Sequence, residues 1–336
     1  MTNQTDLHEV RAIYSRTRLR ELQNRLVRLA ELESLPGLTI FAPGSYGRLE
    51  ASEHSDLDLF FFLDGDGKNM PEPRTSELRM FGQVINTALD MNFPKFSNDC
   101  EYLVIQKTAD VLSHLGSRLD DHANYFTARM LFLLESRCLY GKEAFDAITQ
   151  QIVSSYFKDF PDHSKTFQPI FLINDICRFW KTMLLNYENK RNFKPKAEEA
   201  EYPAKKVKQK VRNFKLKYSR MTTCFASIAA FGSLNTPVSE DQVVEVTRLT
   251  PRERLLSVAE RVPSAGELVS SILERYSWFL EMTGKPTVEL EAHFVDKNDL
   301  NDMFIRANDY GDLMFKLLQH LDQAGRQERL LRTLVI

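Results

Sequence analysis

The chain is poor in the residues that most readily announce a chemistry. Four cysteines stand among 336 residues, at positions 100, 138, 177 and 224, and no two of them form CxxC. That spacing excludes a zinc ribbon and gives no support to a disulfide framework, so reduced thiols are expected. The seven histidines are equally scattered; none is followed by Asp and none sits in HExxH, so the common zinc-hydrolase signatures are missing. A GxxxxGK[ST] phosphate loop is missing too: Gly67-Lys68 is followed by Asn69, and Gly141-Lys142 by Glu143. No apolar run approaches the roughly 20 residues of a membrane helix, since even Leu57 to Leu63 is interrupted by Asp58. The opening MTNQTDLHEVRAIYSR lacks the basic-then-apolar order of a secretory signal, so a cytoplasmic protein without a membrane partner is expected.

Net charge is scarce as well. The 44 basic residues against 46 acidic ones leave −2, which excludes a uniformly basic nucleic-acid binder. An apolar fraction of 43% and a charged fraction of 27% exclude disordered and collagen-like chains, and the length allows two packed domains. The neutrality is an average, however. Residues 190–220 carry twelve Lys and Arg against Glu198, Glu199 and Glu201, a local charge of +9, which leaves −11 elsewhere.

Hydrophobic periodicity sets out the organisation. Residues 6–34 show a helical pattern, with Leu22, Leu26 and Leu29 on one face and Pro36-Gly37 ending the run. Leu38 to Ala42 is a short β-prone run, and Leu57 to Leu63 reads as a buried strand closed by Asp64-Gly65-Asp66-Gly67. A helix is expected over Ser76 to Met91 and a strand over Glu101 to Gln106. From Val111 onward the pattern is helical, with one helix over Asn124 to Tyr140 and others starting near Glu143 and Pro169. Phe160 to Lys165 reads as a linker and residues 192–203 as an exposed loop. Beyond 237, amphipathic helices are broken at Pro251, Pro263, Gly284-Lys285-Pro286 and Asn298. The expected fold class is α+β: a small mixed sheet with helices, then a larger all-α domain. The expected division is an N-terminal helix over 1–36, a sheet domain over 37–118 and a helical domain over 119–336.

The chemistry lies in Phe41 to Leu63, FAPGSYGRLEASEHSDLDLFFFL. One strand ends at Gly44-Ser45 and a second opens with Asp56-Leu57-Asp58. Strand side chains alternate, so Asp56 and Asp58 project together while Leu57 and Leu59 turn to the core. Two carboxylates close together on one face are costly without a cation. Oxygen ligands favour Mg²⁺ or Mn²⁺, completed by waters and substrate phosphates. Gly44 lets a phosphate approach the backbone, and the helix it starts directs N–H groups at an anion. The pattern thus predicts a triphosphate site facing a two-metal site. The plain alternative is an acidic turn before a core strand, with Asp56 capping and Asp58 solvated.

Gly44-Ser45-x-Gly47-Arg48, followed by Ser55-Asp56-Leu57-Asp58-Leu59, resembles the signature of the DNA polymerase β-like nucleotidyltransferase superfamily. Within it the likeness is to the uridylyltransferases that modify nitrogen-signalling proteins and to their CBS-associated relatives, which share GSxGRxE…SDxDL, including Arg48 and Glu50. The segment DDHANYFTARMLFLLESRCLY, Asp120 to Tyr140, is similar to the first helix after the catalytic motif in that group. The resemblance covers residues 38–145 and makes 37–118 a catalytic domain and 119–336 a helical domain that binds substrate and nucleotide. It implies Mg-dependent transfer of an NMP from an NTP to an acceptor hydroxyl, with Asp56 and Asp58 as catalytic metal ligands. It also implies that Gly44 and Ser45 hold the leaving pyrophosphate. Arg48 either neutralises that pyrophosphate or pairs with Glu50 or Glu53. A third carboxylate acting as base is implied on a neighbouring strand, with Asp99 (as a metal ligand) and Glu101 (as the catalytic group) the candidates. No HD dipeptide and no ACT-like segment accompany the motif, so removal of the transferred group by this chain is not expected. Synthesis of nucleotide oligomers or a cyclic nucleotide, and a non-catalytic nucleotide-sensing or RNA-binding module, are the alternatives on the same fold.

The +9 segment falls in the helical part. Val207, Val211, Phe214, Tyr218, Met221 and Phe225 form an apolar stripe, opposite Lys205, Lys208, Arg212, Lys215 and Ser219. Asn174, Arg178 and Lys181 share a face of the preceding helix. Phe171 to Lys181 and Lys215 to Arg220 resemble elements of bacterial stand-alone nucleotidyltransferases, and Lys181, Lys215 and Arg220 are the expected phosphate contacts. This basic face either binds an NTP and an acceptor RNA or protein, or is a solvated helix surface. Tyr187, Phe193, Tyr202 and Tyr218 are candidates to stack on a base, although Tyr218 has the spacing of a core residue. Sequence-specific DNA binding is not expected.

Overall fold

The apolar runs of the first half assemble into one mixed four-stranded sheet. We describe it from a computed structural model covering residues 6–65, 74–94, 103–192, 202–324 and 330–335. The strands are β1 (Leu38–Ala42), β2 (Phe60–Leu63), β3 (Ile105–Lys107) and β4 (Arg137–Tyr140). Their order is β3-β2-β1-β4, with β1 antiparallel to β2 and β4, and β2 parallel to β3. Around them stand α1 (Leu7–Leu26), α2 (Ala30–Glu33), α3 (Gly44–Gly47) and α4 (Arg74–Asp90). They are followed by α5 (Thr108–Ser113), α6 (Arg118–His122), α7 (Tyr125–Glu135) and α8 (Lys142–Ser155).

The central strands are buried at every position, and apolar at all but Thr39, because both of their faces are covered. Leu38, Ile40, Phe61 and Leu63 share one core with Leu22 and Leu26 of α1 and with Met80, Phe81 and Val84 of α4. Phe41 and Phe62 turn the other way onto Phe132 of α7, with ring centroids 4.9 and 5.1 Å apart. Within α7, Arg129 is fully buried; it donates to both carboxylate oxygens of Asp120 at 2.8 Å and to the Tyr156 hydroxyl at 2.9 Å.

Several expected boundaries shift. The helix expected from Asn124 to Tyr140 stops at Glu135; Ser136 is extended and the next four residues pair with β1 as β4. Thr39 Oγ1 fixes this edge by donating to Tyr140 O at 2.8 Å. No Gly or Pro marks the stop, since the force that breaks the helix is pairing with a distant strand. The first unit consequently spans Met1–Lys158 and the second Asp159–Ile336, so the division falls beside the linker at Phe160 rather than at 118. The strand expected over Glu101 to Gln106 is described only from residue 103, and its ladder begins at Ile105.

The second unit shows only helices among its described residues. They are α9 (Phe160–His163), α10 (Ile170–Asn192), α11 (Tyr202–Lys215), a π-helical turn (Leu216–Arg220) and α12 (Met221–Gly232). Next come α13 (Glu240–Arg248), α14 (Pro251–Arg261), α15 (Gly266–Thr283), α16 (Thr287–Ala292), α17 (Lys297–Gln323) and α18 (Leu330–Val335). α12 is buried almost all round, as its Thr, Ala, Ile and Phe composition requires, and packs on α10, α14 and α17. Arg254 is also fully buried and donates to the last carbonyls of α13, Val246 O at 2.9 Å and Thr247 O at 3.1 Å. A π turn makes i→i+5 bonds, so it shifts the phase of the helix that carries it. Phe214 and Tyr218 are buried as the apolar stripe predicts, but Met221 and Phe225 beyond the turn are only half-buried. Tyr218 is thus a core residue, stacked between Phe279 and Tyr310.

α14 begins with a capping box: Glu253 N–H donates to Thr250 Oγ1 at 3.2 Å, and Thr250 N–H to Glu253 Oε2 at 2.7 Å. Thr250→Ala should cost about 1 kcal/mol, read as a lowered denaturation midpoint. No helix among the described residues is long and apolar enough to cross a membrane. Cys138, Cys177 and Cys224 are free. Burial pushes the Cys138 and Cys177 thiols up to about 11 and raises Cys224 as well. None of the three is therefore a thiolate nucleophile at neutral pH. Cys100 lies outside the described residues.

Candidate active site

β1 and β2 are antiparallel, so the chain leaving β1 and the chain entering β2 meet at one end of the sheet. Pro43 leads out of β1 into α3, whose first residue, Gly44, has φ +71°. Nothing lies within 4 Å of where a Cβ on Gly44 would stand, so the backbone there borders open space. Gly47 is the opposite case: a Cβ would meet Glu135 O at 1.8 Å and Ala42 O at 2.7 Å. α3 has only four residues and hence little macrodipole; what it offers an anion is its first N–H groups, which lack intrahelical acceptors. Ser45 beside them is half-buried.

At the entry to β2, Asp56 is exposed, Leu57 buried, Asp58 half-buried and Leu59 buried. The alternation expected of a strand is present, although ladder pairing starts only at Phe60. Both carboxylates consequently lie on the side away from the core that holds Leu57 and Leu59. Carboxylate oxygens on one side of an extended segment suit a hard divalent cation.

The loop between these two halves is held at nearly every residue. Glu50 N–H donates to Ser45 O at 2.8 Å, and Ala51 N–H to Ser15 Oγ of α1 at 3.0 Å. Ser52 N–H donates to Ser55 Oγ at 2.9 Å and Ser55 N–H to Ser52 O at 3.0 Å, closing a turn just before Asp56. Leu49 is left-handed at φ +61°, a conformation an L-residue keeps only where its surroundings impose it. Arg48 lies beneath the loop. Its Nε donates to Glu50 Oε2 and its Nη1 to Glu135 Oε2, both at 2.7 Å, and all three side chains are nearly inaccessible. Of the roles the sequence left open for Arg48, the geometry displays the ion pair with Glu50, buried and extended to the end of α7. Lys at this position keeps the charge but loses the planar fork that reaches both carboxylates. Arg48→Lys should therefore lower stability by about 1.5–3 kcal/mol, measured by chemical denaturation.

α1 completes the support. Tyr46 is buried against Phe93, and burial, then Tyr14, raises its phenol well above the ordinary value. Arg11 faces the same loop; burial lowers its pKa while Glu53, Tyr14 and Glu50 act to raise it. Reading residues 1–36 as a separate helix misses Ser15 and Arg11, and reading Asp120 to Tyr140 only as a helix misses the anchor Glu135. The available signals were a small polar residue inside the Ala12–Ser15–Leu19–Leu22 stripe and the acid in Leu133-Leu134-Glu135.

Asp99 and Glu101, the two candidates for the third carboxylate, lie outside the described residues. Among the described residues no group of three or more His, Cys, Asp or Glu is placed to hold a metal ion. Lys181, Lys215 and Arg220 belong to the second unit. There Lys181 and Lys215 are exposed, and Arg220 is half-buried in the π turn. Compared with models of known protein families, with curated proteins and with solved structures, the chain matches none.

Proposed function

We propose that the protein transfers a nucleoside monophosphate from a nucleoside triphosphate to an acceptor hydroxyl and releases pyrophosphate, on a nucleotidyltransferase-type sheet. The observation that supports this reading most is the shared end of β1 and β2, where the Gly44-Ser45 backbone and the carboxylates of Asp56 and Asp58 are set by one tightly hydrogen-bonded loop. The first N–H groups of α3 and the Ser45 hydroxyl suit the oxygens of the leaving pyrophosphate. Asp56 and Asp58 would hold Mg²⁺ or Mn²⁺, which when bound supplies charge neutralisation of the triphosphate and acidification of the acceptor hydroxyl. The acceptor oxygen forms a bond to the α-phosphorus while the bond from that phosphorus to the β-bridging oxygen breaks, and its electron pair leaves with pyrophosphate. Asp99 or Glu101 is proposed to take the hydroxyl proton.

The test is to incubate the protein with Mg²⁺ and each α-labelled NTP, with and without total RNA or lysate, and to follow the label. Label moved to an RNA end or a protein side chain supports transfer; label on a second nucleotide identifies an oligomer synthase. NTP bound with no label moved under any condition overturns the reading and leaves a sensor.

A further inference from the structure

α11 has two unlike sides. Its apolar side is packed: Val211 and Phe214 are buried, and Lys210 Nζ beside them donates to Phe294 O at 3.1 Å. Its other side carries Lys205, Lys208, Arg212 and Lys215 at i, i+3, i+7 and i+10, all exposed. At 1.5 Å rise per residue this row is about 15 Å long, with neighbouring cations about 4.5–6 Å apart along the axis.

An ordinary solvated helix face mixes signs at i, i+3 and i, i+4, where like charges cost about 0.2–0.5 kcal/mol per pair. From Tyr202 to Arg220 the chain has no acidic residue. Among the described residues Lys208, Arg212 and Lys215 make no salt bridge. These three cations therefore repel one another along the helix with no salt bridge among the described residues to offset it. It is flanked by the end of α10, since Gln209 Nε2 donates to Lys190 O at 3.1 Å. That turn adds the exposed Lys190 and, one turn back, the half-buried ring of Tyr187.

We propose that this row and the last turn of α10 form a docking surface for a single-stranded polynucleotide, the acceptor class of the transfer proposed above, on which this inference rests. Evenly spaced cations in line suit a backbone with one charge per repeating unit, and an adjacent aromatic ring offers a stacking surface to a base. An acidic protein segment has no use for the ring, and its charges follow no fixed repeat.

The test is binding of a labelled RNA strand and a DNA strand of the same sequence, followed by fluorescence anisotropy from 50 to 200 mM salt, without NTP. With about four phosphates neutralised, log K against log salt should fall with a slope near −3. Lys208→Ala/Arg212→Ala/Lys215→Ala should flatten the slope by about 2 and weaken low-salt binding at least about tenfold, with unchanged circular dichroism. Arg212→Lys, which keeps the charge, should bind as wild type. The two strands separate RNA from DNA as the source of the phosphates. Three results each overturn the docking surface: no salt dependence, a triple variant that binds both strands like wild type, or displacement of the strand by poly-glutamate at equal charge. Asp56→Asn should leave strand binding intact, and wild-type protein that binds the strand yet moves no label sinks the transfer reading alone. Undiminished transfer to protein by the triple variant sinks the docking surface alone.

Discussion

Asp56→Asn and Asp58→Asn should each reduce label transfer from an α-labelled NTP at least about a thousandfold, while the melting temperature stays where it was. The two halves of that expectation come from different features. The side chains lie outside the core, Asp56 exposed and Asp58 half-buried, and the packing that fixes them belongs to Leu57 and Leu59. Asn matches Asp in shape, so the alternation and the Ser52–Ser55 turn survive the change. A bound cation contributes several kcal/mol to a phosphoryl transition state, and about 4 kcal/mol corresponds to about a thousandfold in rate. Removing one carboxylate charge weakens the hold on that cation and should also weaken metal-dependent NTP binding, which titration calorimetry with and without Mg²⁺ would read. Full transfer by either variant would return both aspartates to the plain reading, an acidic turn ahead of a core strand.

That pair was legible because it needs only a period of two. Leu57, Leu59 and the run to Leu63 announce a strand buried on both faces, and the aspartates between them have to point away. The support of the loop was not legible, because each of its contacts closes a long distance in sequence. Arg48 reaches Glu135 across 87 positions and Ala51 reaches Ser15 across 36. Local pattern offers only Glu50 and Glu53, two and five residues from Arg48. β4 was hidden for a similar reason: Arg137–Tyr140 carries on a helical pattern and becomes a strand only where β1 offers it an edge. In the second unit the stripe from Val207 to Phe225 was drawn with a constant 3.6 period, and the π turn at Leu216–Arg220 breaks that period without any residue that signals it. The cations of α11 escape these difficulties, since a charged side chain three or four positions from its like on a regular helix shares its face without tertiary help.

The largest loss of stability should follow Gly47→Ala. The added methyl would stand 1.8 Å from Glu135 O and 2.7 Å from Ala42 O, and both oxygens belong to backbone. No rotamer change relieves the overlap; α3 has to lift away from the end of β1 or the end of α7. Overpacking against side chains costs about 1–3 kcal/mol. Two rigid carbonyls at the junction that also positions Glu135 for Arg48 bring the cost to about 4 kcal/mol, or about 8–16 °C in melting temperature for a unit of this size. Gly44→Ala, three residues earlier, should behave differently. Its methyl meets nothing within 4 Å, and only the φ of +71° opposes it, at about 1–2 kcal/mol. That methyl does project into the open space beside α3, where the proposed phosphate would lie. Gly44→Ala should therefore lose NTP affinity out of proportion to its modest loss of stability, and Gly47→Ala the reverse. Thermal denaturation and NTP titration on the two variants separate the roles: a Gly44→Ala protein that binds NTP like wild type would move the phosphate site away from this loop, whatever Asp56 and Asp58 do.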